Sequence, residues 1–183
     1  MNTKTVVVFL NKNSFLLYSI VFIISFVLGL TNINLRSRDI SLDNVSFSND
    51  SFFKILLNNF LLGLSLLLGF IFFNIYNVII IFFNGLFWGF YLNKFFSNLG
   101  LLNSIILFIP HAILEYYWII SISVYSTKLS FDFYKFLNSG FDDNSLFKNL
   151  VSIYTLKLLS LILLSAIVES YVTGSLFNLL NTR

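Results

Sequence analysis

The sequence contains no cysteine, one proline and one histidine in 183 residues, and only 10% of it is charged. Without cysteine there are no disulfide frameworks, thiolate metal sites or cysteine nucleophiles. A soluble domain carries about 25% charged residues, and this chain has too few to cover a hydrated surface. Soluble enzymes, acidic tails and basic nucleic-acid binders are excluded on that ground. The 11 Lys and Arg residues give a net charge of +3 but form no run that could follow a phosphate backbone, so nucleic acid is not an expected partner.

What is abundant is apolar. The chain is 57% hydrophobic with 24 phenylalanines, and its mean hydropathy is +0.87. Such a surface suits a lipid bilayer, and the composition predicts an all-α, polytopic membrane protein forming a single integral membrane domain. A helix needs about 20 apolar residues to cross the hydrocarbon layer. Suitable segments run from Ser14 to Leu30, Phe53 to Phe73, Val78 to Phe96, Leu101 to Tyr125 and Tyr154 to Leu180. That makes about five spans, or six if Pro110 splits the fourth. The first has no small-residue cleavage site after it, so it reads as an anchor and not as a removed signal.

The polar stretch 31–50, with Arg36, Arg38, Asp39 and Asp43, reads as an exposed loop. Asn74 and Asn77 offer turn chemistry between the second and third spans, and 97–100 makes the next turn. The segment 130–150 mixes aromatics with Lys135, Lys148 and aspartates, as an interfacial helix does. Phe133, Tyr134, Lys135 and Phe136 within it are candidate contacts for a soluble partner. Placing the N-terminus in the cytoplasm puts Lys4, Lys12, Lys128, Lys135, Lys148 and Lys157 inside, against Arg36, Arg38, Lys54, Lys94 and Arg183 outside. The positive-inside rule thus favours N-in by a narrow margin.

Glu115 and Glu169 are the only glutamates, and both fall near the centres of expected spans. A charge there costs about 2.5–3.5 kcal/mol on insertion scales, so such residues turn inward and are paired or neutralised. His111 precedes Glu115 by one helical turn, and Glu169 precedes Thr173 by the same spacing. Asn58 and Asn59 in the second span and Asn84 in the third complete a set able to meet across the bundle. Three readings stay open. The set is a hydrogen-bond network fixing helix register, at about 0.6 kcal/mol per bond. It is a proton relay or a polar path for a substrate. Or His111, Glu115 and Glu169 bind a metal, although three such ligands without an HExxH pattern make a meagre site. No pattern calls for a cofactor.

Pro110 removes one backbone donor inside the membrane, which makes either a simple bend or a re-entrant tip. Gly85 and Gly89 form a GxxxG pattern that permits close helix approach, within one subunit in preference to between two copies of a homo-oligomer. Ser65 and Gly69 repeat the spacing in the neighbouring span. The glycosylation sequons at Asn44 and Asn49 are chance matches in a chain rich in Asn and Ser.

Four elements in order, NNFLLGLSLLLG, FFNGLFWG, IPHAILEYYW and AIVESYVTG, resemble the stage II sporulation protein M family of multispan membrane proteins. The resemblance covers residues 52–175 and rests on Asn58, Asn59, Gly63, Gly69, Asn84, Gly85, Gly89, Pro110, His111, Glu115, Glu169 and Thr173. Position 112 is Ala where the family element usually has Gly. The Pro-His-x-x-x-Glu element is absent from the sporulation protein proper, so the likeness is to the wider family. It implies one of two roles in a bacterial plasma membrane. One is a scaffold for a cell-wall-degrading complex in sporulation. The other is a permease-like subunit working with an ABC-type ATPase and other membrane subunits in maturation, export or immunity for a circular bacteriocin, a hydrophobic peptide. Neither role makes the chain itself an enzyme.

Overall fold

The computed structural model describes residues 3–31, 49–139 and 144–181. The charged loop residues Arg36, Arg38, Asp39 and Asp43, the Asn44 sequon and Arg183 lie outside them. The described residues contain helices and turns and no strand. The helices are α1 (Thr3–Thr31), α2 (Asn49–Leu68), α3 (Ile75–Leu99), α4 (Leu101–Asn138), α5 (Ser145–Leu150), α6 (Ile153–Ile167) and α7 (Gly174–Asn181). A 3₁₀ turn, Gly69–Phe72, follows α2, and a π-helical segment, Val168–Thr173, joins α6 to α7. Five stretches are long and apolar enough to cross a membrane, and α5, α6, the π segment and the start of α7 together make the fifth.

The distribution of side chains is inverted relative to a soluble protein. Large apolar residues such as Leu16, Ile24, Leu57, Ile79, Phe83 and Ile113 face outward, while Ser25, Asn77, Ser104, Ser123, Ser126 and Ser165 are fully buried. An outer surface of this kind is stable against lipid tails, and the polar groups are hidden from them. Many of the buried hydroxyls bond to their own helix. Ser123 donates to Ile119 O at 2.9 Å, Ser104 to Gly100 O at 2.7 Å and Ser25 to Phe22 O at 2.9 Å. Each hydroxyl then buries no unmet donor.

Helix α4 is the centre of the bundle. Trp118, Ile119, Ile120 and Leu129 are wholly buried, and α1, α2, α3, α5, α6 and the π segment all pack against it. It is continuous through Pro110, so the fourth span is not divided. Its 38 residues make a rod about 57 Å long at 1.5 Å per residue, against about 30 Å of hydrocarbon. The expected boundary at Tyr125 therefore falls inside the helix. The segment 130–150 is not one interfacial helix: residues 130–138 continue α4, and α5 folds back beside it. Burial of Leu129, Ser130 and Asp132 against the 3₁₀ turn and α5 holds these last turns in place.

The two turns differ from a simple loop. The break after α2 falls at Phe73 and Asn74, which have φ of 49° and 64°. Asn77 sits inside α3, where its side chain is fully buried and donates from Nδ2 to Asn74 Oδ1 at 3.2 Å. Gly69 has no Cβ because Asn77 occupies that space. Asn74 Nδ2 donates to Ser130 Oγ at 2.7 Å, tying the turn to α4. Between α3 and α4 a single residue, Gly100 at φ 78°, makes the connection.

Helices α1 and α3 make the closest approach. A methyl at Gly85 would strike Ser25 and the Phe22 carbonyl, one at Gly89 the Phe26 carbonyl, and one at Gly29 the Leu86 carbonyl. Two small-xxx-small stripes therefore face each other within one chain, Ser25–Gly29 on α1 and Gly85–Gly89 on α3. Gly63 on α2 gives room to Ile162 and Ile122.

Two measurements test this packing. Gly89→Ala should lower stability by about 1–3 kcal/mol through overpacking, read as a shifted denaturation midpoint in detergent. An unchanged midpoint would mean that α1 and α3 do not meet there. At Asn74, Gly suits the left-handed turn and Ala does not. Asn74→Gly should therefore exceed Asn74→Ala in stability by about 1 kcal/mol, although both lose the bond to Ser130.

Candidate functional site

Asn59 on α2, Asn84 on α3, His111 and Glu115 on α4, and Glu169 and Thr173 on the π segment line one cavity of about 470 Å³. It lies toward the end of the bundle shared by the start of α2, the α3–α4 turn and α7. Four elements contribute: α2 and α3 each present one polar position toward the space, and α4 and the π segment two each. Asn58 does not join them and faces outward. Neighbouring residues on a helix point about 100° apart, so only one of the paired asparagines can turn inward.

The polar groups have few partners. His111 Nδ1 and Thr173 Oγ1 share a hydrogen bond at 3.3 Å, linking α4 to the π segment. The imidazole also approaches the Leu107 carbonyl, and Phe108 meets it edge-on with centroids 5.4 Å apart. Asn84 spends Nδ2 on Ile80 O at 3.0 Å, within its own helix. The Glu115 carboxyl stands near the Trp88 indole and within the field of Glu169. Glu169 in turn faces Asn59, whose Nδ2 is buried with no acceptor at bonding geometry.

Aromatic rings supply the rest of the wall: Phe87, Trp88, Tyr91, Phe95 and Phe108. Trp88 packs edge-on against Phe108 at 5.4 Å and against Phe22 at 5.1 Å. Among the described residues no three His, Asp or Glu side chains gather as a metal-holding group, so His111, Glu115 and Glu169 share a cavity without converging on a point. What the arrangement offers is a polar, partly unsatisfied chamber with aromatic walls inside an apolar bundle.

A second polar group lies toward the opposite end. Ser130 Oγ is 3.2 Å from Phe70 O and from Ser126 O, and Ser126 Oγ donates to Leu67 O at 3.2 Å. Tyr18 shares a bond with Thr127 at 3.0 Å and lies beside Asn77. Sequence reasoning took Asn74 and Asn77 for turn residues and missed this group. The run of Ser and Thr at 121, 123, 126, 127 and 130 was its signal. The partner-contact candidates are divided as well. Phe133 packs on Phe70 at 5.5 Å and Phe136 on Phe147 at 5.6 Å, while Tyr134 and Lys135 face outward.

These features define an all-helical protein with five membrane-length segments and a polar chamber among them. The family model for stage II sporulation protein M matches residues 14–174, a stretch that includes every residue lining the cavity. The chain belongs to that family. No curated protein and no solved structure matches it.

Because the chain has no native cysteine, single-cysteine labelling maps the chamber cleanly. Asn84→Cys should react with a small, membrane-impermeant thiol reagent, and Ile119→Cys, buried in the core, should not. Equal protection of both would show that the chamber holds no water. The side from which Asn84→Cys reacts also gives its orientation.

Proposed function

We propose that this chain is the non-enzymatic, permease-like membrane subunit of a larger machine in a bacterial plasma membrane, with its N-terminus in the cytoplasm. It works with a separate ABC-type ATPase and other membrane subunits in export, maturation or immunity for a hydrophobic peptide of the circular-bacteriocin type. The observation that carries this reading is the chamber of about 470 Å³ among the spans, lined by Glu115, Glu169 and His111. A scaffold held together by interhelical bonds gains nothing from a polar cavity of this size, whereas a path for a substrate requires one.

The chain has no phosphate-binding loop, so ATP hydrolysis falls to a partner. The docking platform is the last part of α4 with α5. Asn149 Nδ2 donates to Asp132 at 2.7 Å, and Lys128 Nζ donates to Asn149 Oδ1 at 3.3 Å, which braces the two helices together. Tyr125 hydroxyl also bonds to the Asn149 carbonyl and to Ser152. From this braced unit Tyr134 and Lys135 project outward, on the face that N-in topology puts in the cytoplasm with the ATPase.

Mild-detergent purification from native membranes, with mass spectrometry of what accompanies the chain, tests the proposal. An ABC-type ATPase in stoichiometric amount is expected, reduced about tenfold by combined Tyr134→Ala and Lys135→Ala if the docking is worth about 1.4 kcal/mol. A cell-wall hydrolase in place of the ATPase would instead mark the chain as a scaffold of a sporulation or wall-remodelling complex.

A further inference from the structure

The chamber's wall is chemically one-sided. Glu115 and Glu169 bring two carboxyls, and among the described residues no Lys or Arg lines the space. Lys94, on the same helix as Trp88, lies with its Nζ 4.9 Å from the Phe90 ring centroid, outside the lining. His111 is engaged by Thr173. Aromatic rings line the rest of the interior, and such a wall suits a cation and an alkyl stem equally. Asn59 adds one feature of the opposite kind: a buried amide donor, 7% exposed as a residue, that faces the Glu169 carboxyl without a partner at full bonding geometry.

Each class of occupant meets this wall differently. An anion would face two carboxyls with no countercharge among the described lining residues. A purely apolar molecule would fill the volume but leave the carboxyls and Asn59 Nδ2 unpaired, at about 1–3 kcal/mol for each buried group. A bare metal ion lacks a converging ligand set among the described residues. A primary ammonium on an apolar stem, with a carbonyl close by, satisfies all three features together.

We propose that the chamber between α2, α3, α4 and the π segment binds a primary ammonium group, as carried by a lysine side chain or the amino terminus of an apolar peptide. The ammonium sits between Glu115 and Glu169, its stem lies along Trp88 and Phe108, and a neighbouring amide carbonyl accepts from Asn59 Nδ2. This rests on reading the chamber as a substrate path and names the chemistry of the substrate group it selects. The binding step itself needs no ATPase.

The test uses the purified full chain in nanodiscs of zwitterionic phosphatidylcholine, with Trp88 emission as the reporter. Trp118 is wholly buried in the core and serves as a constant background. The probes are hexylammonium, hexanol and hexanesulfonate, with empty nanodiscs as the partition control. Hexylammonium should give a saturable change, absent in Trp88→Phe, and bind at least about tenfold more tightly than either other probe, a preference worth about 1.4 kcal/mol. Glu115→Gln and Glu169→Gln keep the size of the side chains and should each weaken it by a similar factor. Asn59→Ala should weaken 6-amino-N-methylhexanamide more than hexylammonium. Equal binding of hexanol and hexylammonium to the unaltered protein overturns the proposal without reference to any variant. Undiminished hexylammonium binding to the folded double Glu→Gln variant does so as well. A clear ammonium preference with no ATPase in the purified complex would refute the ATPase-coupled function and leave the site standing. An ATPase without that preference would refute only the site.

Discussion

A polar atom inside a bilayer has no water to bond with, and this constraint shapes the whole chain. The backbone meets it by becoming helix wherever the sequence crosses the hydrocarbon. The side chains meet it in two ways. Serines at 25, 104 and 123 donate to carbonyls of their own helix and so become small, self-satisfied surfaces. Asn74, Ser126, Ser130 and Tyr18 reach between elements and join the ends of α1, α3 and α4 to the 3₁₀ turn. Neither device leaves a donor open, and both let helices approach closely. Asn59 Nδ2, Trp118 Nε1 and Ser165 Oγ depart from that background, each buried without a partner at bonding geometry. Of the three, Asn59 lines the chamber, beside the Glu169 carboxyl, and departures of this kind are where a bundle does more than hold itself together.

Helix α4 organises the separation between holding and working parts. Its buried middle, from Trp118 to Ser123, is a dry and nearly featureless packing surface. Toward the α3–α4 turn it carries His111 and Glu115 to the chamber. Toward its other end it carries Ser126, Thr127, Ser130 and Asp132 to the turn and to α5. One rigid rod therefore links the chamber to the outward-facing Tyr134 and Lys135. Pro110 does not break this rod. It removes one donor in the turn before His111, where the helix is already flanked by the aromatic rings of the chamber.

The span count was legible because apolar length is a one-dimensional property, and runs such as 53–73 announce themselves without any knowledge of packing. The membership of the chamber was legible for a similar reason: an isolated Glu, His or Asn in an apolar run is visible against its surroundings. What could not be read was direction. Asn58 and Asn59 look alike in sequence, and only the helix phase relative to three other elements sends one inward. The small residues of α1 were hidden because Ser25 and Gly29 acquire meaning only opposite Gly85 and Gly89. That the fourth helix continues past Tyr125 to Asn138 could not be read either, because Lys128, Asp132 and Lys135 look like a boundary. In the structure Lys128 and Asp132 are braced by Asn149, and Ser130 between them by the 3₁₀ turn, partners that lie elsewhere in the sequence.

The π segment is the least sequence-legible part of the site, and it explains how two of its residues serve different neighbours. In an α-helix residues four apart lie nearly over one another, so Glu169 and Thr173 would reach toward the same helix. Bonds of the i→i+5 kind widen the turn by one residue and change the direction in which each side chain leaves it. Thr173 then meets His111 on α4, while Glu169 faces Asn59 on α2. The wider turn has poorer backbone geometry than the α-helix on either side, and it persists because packing fixes it from both directions. Gly174, buried directly after it, has ordinary helical angles, φ -61° and ψ -45°, and opens α7. An uninterrupted α-helix through this stretch would turn Glu169 and Thr173 in other directions. The chamber thus depends on a local irregularity, as π turns at functional positions commonly do.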